Sequence, residues 1–167
     1  FEISHEMDEY FKITRNIHKI MGEYTYNRLT AIDGIKATKP EATFYLLADF
    51  NAYSPELQTA KITTSQKLAE TLIVHPYHTA IVGGDSLVLE RTDFSARIAY
   101  VDYDGAKVYD AYQKQLPKTH SERIEFVQNN APKIVAGLTM LEKFFNELKK
   151  DAVDELMLIK NNIRIPN

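Results

Sequence analysis

An arginine placed among small and apolar residues is the position in this sequence best suited to chemistry. The stretch FSARIAY, residues 94–100, has the alternation of a β-strand, whose side chains point to two faces in turn. Arg97 shares its expected face with Ser95, Ala99 and Val101, none of which is charged. A guanidinium is always charged and binds a carboxylate through two parallel hydrogen bonds. Arg97 is therefore a candidate anchor for a carboxylate or phosphate, and the structural alternative is an ion pair or a head group that reaches water.

Three other motifs favour structural roles. His75 and His78 are three residues apart, but a proline lies between them, and the pair is at most half of a metal site. Gly83-Gly84-Asp85 lacks the spacing of a phosphate-binding loop, so a tight turn is expected. Lys67 lies among polar residues in the first turn of an expected helix, whereas a catalytic lysine needs burial or cationic neighbours. We assign no catalytic or metal-binding residue to these motifs.

The elements that position Arg97 begin with a long helix. Apolar side chains recur at steps of three and four from Met7 to Tyr24, which predicts a helix over about 5–30. The stripe passes through Gly22, where the helix is expected to bend. A helix of this length is typical of one that connects two regions.

The middle of the chain alternates apolar runs with turn-forming residues. Runs of aromatic, aliphatic and β-branched residues predict strands. Helices are expected at about 63–73, behind a capping box of Thr63 and Gln66, and at 105–115, capped by Asp104. The strands are expected at 43–49, 79–82, 86–90 and 95–102, with a loop at 51–62.

The last third of the chain is expected to be helical. One segment covers 121–129, and another begins at Pro132, which has no N–H to lose in a first turn; a single helix kinked at Pro132 is the alternative. The sequence thus predicts an α+β fold, with a small mixed or antiparallel sheet covered by helices, a long N-terminal helix and a helical C-terminal extension. The expected divisions are 1–30, 31–116 and 117–167.

Composition excludes several classes of function. The 167 residues fit one domain, and 20 Lys and Arg against 23 Asp and Glu give a net charge of −3 with no basic stripe, so no nucleic-acid partner is expected. No apolar run approaches the roughly 20 residues of a membrane span. The absence of cysteine excludes disulfides and Cys-rich zinc sites and agrees with a cytoplasmic protein. The chain opens on Phe1 without an initiator methionine, as expected of a piece of a longer protein.

The order of these motifs resembles a known family. KPEATFYLLADF at 39–50 resembles the Pro-x-Gly-x-Phe-Tyr-Leu block that opens the C-terminal small domain of pyridoxal-phosphate-dependent class I/II (fold-type I) aminotransferases. TAIVGGDS at 79–86 takes the place of that family's Val-x-Pro-Gly-x-x-Phe-Gly segment, and SARIAYVDYD at 95–104 resembles the strand that carries its substrate-carboxylate arginine. The chain departs from the pattern at Ala42, where the family has glycine, and at Val82-Gly83, where it has Pro-Gly.

The resemblance implies a specific role for Arg97, which is to anchor the α-carboxylate of an amino-acid or 2-oxo-acid substrate. It also implies that pyridoxal 5'-phosphate and its Schiff-base lysine belong to a large domain upstream, that residues 1–30 bridge the two domains, and that the whole enzyme is a homodimer. This chain alone is then expected to be inactive. Two alternatives remain: a domain of another fold-type I enzyme, such as a lyase or decarboxylase, or a stand-alone α+β module for ligand binding or interaction.

Overall fold

A computed structural model describes residues 5–162, and its elements begin with one long helix. Helices and short strands then alternate, and three helices end the chain. The helices are α1 (His5–Thr30), α2 (Ser54–Thr59), α3 (Ser65–Ile73), α4 (Gly105–Gln115), α5 (His120–Asn130) and α6 (Pro132–Asn162). The strands are β1 (Lys36–Ala37), β2 (Tyr45–Asp49), β3 (Val82–Gly83) and β4 (Ser95–Ala99).

Helix α1 confirms the prediction from its apolar spacing. It buries Ile13, Ile17 and Met21 on one face, which packs against the sheet and against α4, α5 and α6. The helix is continuous through Gly22. The missing side chain lets groups from other segments approach the helix closely at this position. A Cβ at Gly22 would lie 3.0 Å from Cγ of Pro40 and 3.1 Å from the Tyr100 ring.

The four strands form one antiparallel sheet in the order β1-β2-β4-β3. This confirms the α+β class, and of the two expected sheet types the antiparallel one is present. The sheet buries one face against the helices, and this face carries Leu46, Ala48, Ala96 and Ile98. The other face carries Arg97 and is partly open to solvent.

The C-terminal helices are two separate elements, not one kinked helix. Thr119 and Glu122 form a capping box at the start of α5, and Ala131 ends that helix before Pro132 opens α6. The apolar stripe of α6 is buried, and the ring of Phe145 stacks on Phe50 at 4.8 Å between centroids. Burial of such an aromatic side chain contributes about 1.5–3 kcal/mol, so α6 is an integral part of the core.

Several local predictions were wrong. Residues 51–62, expected as a loop, contain a 3₁₀ turn (Asn51–Tyr53) and helix α2, because Pro55 lies in the first turn, where its missing N–H costs nothing. Residues 86–90 do not form a strand; a 3₁₀ turn covers Gly84–Leu87. The capping residue of α3 is Thr64, whose hydroxyl accepts a hydrogen bond from the Lys67 N–H, and not Thr63.

The predicted strand at 79–82 is shorter and later, at Val82–Gly83. Within residues 5–162, no helix has both the length and the apolar character needed to cross a bilayer.

Candidate functional site

Arg97 lies in the middle of β4, between two neighbouring strands. Its register partners are Leu47 on β2 and Val82 on β3. In an antiparallel sheet, residues directly opposite each other share a face, so these two aliphatic side chains flank the arginine on the open face. Because a strand holds its residues more rigidly than a loop does, the guanidinium starts from a defined position.

No carboxylate neutralises Arg97 within the described part of the chain. Seven salt bridges are present there, and none includes this residue; nor does its guanidinium make a hydrogen bond to a protein group. The structural ion pair, one of the alternatives raised by the sequence, is thus not seen among the side chains that the structure describes, residues 5–154 and 157. A half-buried charge with free donors is left to water or to an external anion.

Tyr45 is the aromatic neighbour of Arg97. The guanidinium carbon lies 5.2 Å from the centroid of the Tyr45 ring, within the range of a cation–π contact. Tyr45 pairs with Ala99, so the ring reaches Arg97 diagonally across the strand pair. Such a contact uses none of the N–H donors of the guanidinium, whereas a hydrogen bond to a carboxylate would use at least one.

The open face around Arg97 carries small and partly exposed side chains. Ala99 is exposed, Leu47 and Val82 are half-buried, and 38% of Tyr45 is accessible. Ala96 and Ile98 point to the buried face, which confirms the alternation expected from the sequence. A small carboxylate can therefore approach Arg97 from this side without displacing a bulky residue.

The end of the open face nearest the start of β4 is closed by a hydrogen-bonded cluster. The Asp93 carboxylate accepts hydrogen bonds from the Asn51 amide at 3.0 Å and the Ser95 hydroxyl at 2.7 Å. These bonds, first from Asn51 and then from Ser95, lower the pKa of Asp93 despite partial desolvation. The cluster joins β4 to the turn after β2 and fixes where β4 begins.

A strained bend lies beside β2. Thr43 has φ of 71°, in the left-handed region that a β-branched residue rarely adopts. Its carbonyl accepts a hydrogen bond from the Tyr100 hydroxyl at 3.3 Å. The sequence drew attention to Ala42 because the family has glycine there, but the residue that adopts the left-handed conformation is the next one.

A cleft of about 890 Å³ opens between this bend and α1. Its lining includes Arg15, Lys19 and Lys39, together with Thr43 and Tyr100. Arg97 does not line it. No sequence motif indicated this cleft, because its cationic side chains come from two segments of the chain, α1 and the stretch before β2.

The histidine pair has the solvated setting that the sequence favoured. His75 and His78 are both exposed, and their rings meet edge to face at 5.7 Å between centroids. Among residues 5–162, no group of three or more His, Asp or Glu side chains has the arrangement to hold a metal ion.

The two glycines pack closely against other segments, and Lys67 has the exposed setting that the sequence favoured. A Cβ at Gly83 would lie 2.8 Å from the backbone of Ser65, and one at Gly84 would lie 2.9 Å from the Ser95 carbonyl. The two glycines therefore let β3 pack against α3 and β4. The Lys67 side chain is exposed on the first turn of α3.

No protein-family model and no curated protein matches the chain.

Proposed function

We propose that this chain is the C-terminal domain of a pyridoxal-phosphate-dependent aminotransferase, in which Arg97 binds the substrate α-carboxylate. The observation that carries the proposal is the state of Arg97: half-buried on a central strand, in cation–π contact with Tyr45 and without an acidic partner among the described side chains. The order of motifs that resembles the family adds the reaction class.

The role of Arg97 follows from the chemistry of its side chain. A guanidinium and a carboxylate form two parallel charge-assisted hydrogen bonds, which fix the plane of the carboxylate as well as its position. Each such bond contributes about 1.5–3 kcal/mol. A substrate held by its carboxylate has its Cα bonds oriented for the reaction, and such orientation lowers the barrier more than tight binding alone.

The residues described here do not form a pyridoxal phosphate site. A Schiff-base lysine needs a desolvated or cationic setting that lowers its pKa. The lysines whose side chains are described are exposed except Lys149, which is half-buried, and hydrogen bonding to Asp33 raises the pKa of Lys149. The proposal therefore places the cofactor in an upstream domain and assigns this chain the carboxylate anchor only.

Two exposed apolar surfaces suit contact with such an upstream domain. One is the open face of the sheet, where Tyr45 is 38% accessible, with Phe44 and Val101, which are 50% and 37% accessible, beside the ends of β2 and β4. The other is the first turns of α1, where Tyr10 and Phe11 are 49% and 40% accessible. Their cover would be the large domain, and residues 1–30 would bridge to it. The proposal also includes a homodimeric, cytoplasmic enzyme.

The experiment that tests the reaction class uses the full protein that contains this chain. Purified with pyridoxal phosphate, it is expected to convert an amino acid and a 2-oxo acid into the matching 2-oxo acid and amino acid in equal amounts. The 167-residue chain alone is expected to bind no cofactor stoichiometrically and to show no turnover.

The other outcomes select the alternatives. Release of a 2-oxo acid with ammonia, or of an amine with carbon dioxide, without an amino acceptor would replace transamination by a lyase or decarboxylase reaction. A natural protein that lacks an upstream cofactor domain and binds small carboxylates through Arg97 would be the stand-alone module.

A further inference from the structure

Two further arginines line a small cavity between α1 and α5, and Arg97 is not part of its lining. The cavity has a volume of about 170 Å³. Arg28 projects from α1 and Arg123 from α5, so two guanidinium groups line one space. These residues are distant in sequence, and no motif brings them together.

Both arginines are held in place by carboxylates at one side. Nη2 of Arg28 donates to Glu142 at 3.0 Å, and its Nη1 donates to the Tyr24 hydroxyl at 3.2 Å. Nη1 of Arg123 donates to Glu23 at 3.1 Å. Each guanidinium has five N–H donors, so a single carboxylate partner leaves donors unused.

Arg123 has a specific unmet need. Its Nε–H is buried and has no hydrogen-bond partner. Nε and Nη2 lie on the same edge of a guanidinium, and Glu23 occupies Nη1, on another edge. That free edge is the one that binds a carboxylate with two parallel bonds. The side chain as a whole is 37% exposed while its Nε is buried, so a ligand at this edge requires the head group to turn toward the cavity.

The rest of the cavity lining is part polar, from Asn27, His120 and Gln128, and part apolar. Ile20 and Tyr24 are buried there, and Ile124 of α5 is half-buried beside them. A cavity of about 150 Å³ accommodates a benzene ring, and the volume here is similar. We propose that this cavity binds a small monocarboxylate with an aromatic or compact aliphatic body, its carboxylate on Arg123 and Arg28 and its body against Ile20, Tyr24 and Ile124.

The charges at the cavity favour one negative charge on the ligand. Arg28 and Arg123 supply two positive charges, and Glu23 is the acidic residue in the lining. Glu142 binds Arg28 from α6 and is not part of the lining. A cationic ligand would face two guanidiniums, and a neutral one would make only uncharged acceptor contacts with them, which are weaker than charge-assisted bonds.

The test is a titration of the 167-residue chain with benzoate, followed by backbone amide NMR. Saturable one-to-one binding is expected, with shifts concentrated in α1 and α5. Benzamide, which has the same shape without the charge, is expected to bind at least about tenfold more weakly, as is benzoate to Arg123→Gln.

Two further variants distinguish a lost site from a lost fold. Glu23→Gln removes the competing carboxylate, so benzoate is expected to bind about threefold more tightly or better. Arg91→Gln removes an exposed arginine that does not line the cavity and is expected to leave benzoate affinity unchanged. Absence of saturable binding, equal affinity for benzamide, or equal benzoate affinity of wild type and Arg123→Gln would each overturn the proposal.

Discussion

The guanidinium carbon of Arg97 lies 5.2 Å from the centre of the Tyr45 ring on the adjacent strand. The two residues are diagonal neighbours, because Leu47 is the direct partner of Arg97 and Ala99 that of Tyr45. The ring is within cation–π range of the guanidinium, and no hydrogen bond to a described protein group occupies the guanidinium N–H donors. Tyr45 thus contacts the guanidinium without neutralising its charge, whereas a carboxylate would neutralise it.

The first prediction concerns Tyr45. In the full enzyme, Tyr45→Leu is expected to raise KM for the amino acid about two- to fivefold, because an exposed cation–π contact contributes about 0.5–1 kcal/mol. Steady-state kinetics measure the effect. Tyr45→Phe keeps the ring and is expected to match wild type, and Phe44→Leu is the control for loss of a neighbouring exposed ring. Equal effects of Tyr45→Leu and Phe44→Leu would show that orientation of Arg97 does not depend on Tyr45.

The second prediction concerns close packing at the glycine pair, Gly83 and Gly84. Gly83→Ala would bring a Cβ to 2.8 Å from the Ser65 backbone. The free energy of unfolding is expected to fall by about 2 kcal/mol, as overpacking of this kind does. Gly105→Ala is the matched control, since nothing lies within 4 Å of its Cβ position. Chemical denaturation of both variants measures the difference, and equal stabilities would contradict the close packing of β3 on α3.

The third prediction concerns the bend at Thr43. Thr43→Gly removes the steric penalty of a positive φ, which is about 1–3 kcal/mol for such residues. Glycine also loses more chain entropy on folding, so the net gain in the free energy of unfolding is expected to be about 1 kcal/mol. Ala42→Gly, at the adjacent position without a positive φ, is expected to give no gain. A loss of stability with Thr43→Gly in thermal or chemical denaturation would contradict the strain.

The fourth prediction concerns acid stability. Hydrogen bonds from Asn51 and Ser95 lower the pKa of Asp93. A carboxyl with a lowered folded-state pKa stabilises the protein above its unfolded value, about 3.9, and this contribution disappears as pH falls through the folded value.

The stability difference between wild type and Asp93→Asn is therefore expected to be constant above about pH 5 and to shrink as pH falls below about 4. Denaturation curves at several pH values measure it. Asp110→Asn, on the exposed face of α4, controls for removal of a surface charge. A difference between wild type and Asp93→Asn that stays constant down to pH 2 would contradict the role of the ionised carboxylate.

Periodicity predicted the long elements because it reports directly on burial. The three- and four-residue spacing in α1 and the stripe of α6 correspond to buried faces, and the alternation in β4 correctly separated Arg97 from Ala96 and Ile98. Short elements were harder, because one residue decides them. Residues 51–62 were expected to form a loop, yet Pro55 lies at the start of α2, where helices accept proline.

The sites were predictable only where one segment contains them. Arg97 could be identified from the sequence because it is the one charged residue in the run of residues 94–100. The pair Arg28 and Arg123 was not, since their shared cavity depends on how α5 packs against α1. That packing is a tertiary property, and no local spacing in the sequence encodes it.

The most direct measurement for the central claim compares an amino-acid substrate with its carboxamide in the full enzyme. Arg97→Gln is expected to lower kcat/KM for the amino acid by about a hundredfold or more, since charge-assisted bonds of about 1.5–3 kcal/mol are lost. The same variant is expected to change kcat/KM for the carboxamide by less than about threefold, because the uncharged amide has one acceptor oxygen and cannot form the two charge-assisted bonds with the guanidinium. An unchanged kcat/KM for the amino acid, or equal losses for both substrates, would contradict Arg97 as the carboxylate anchor.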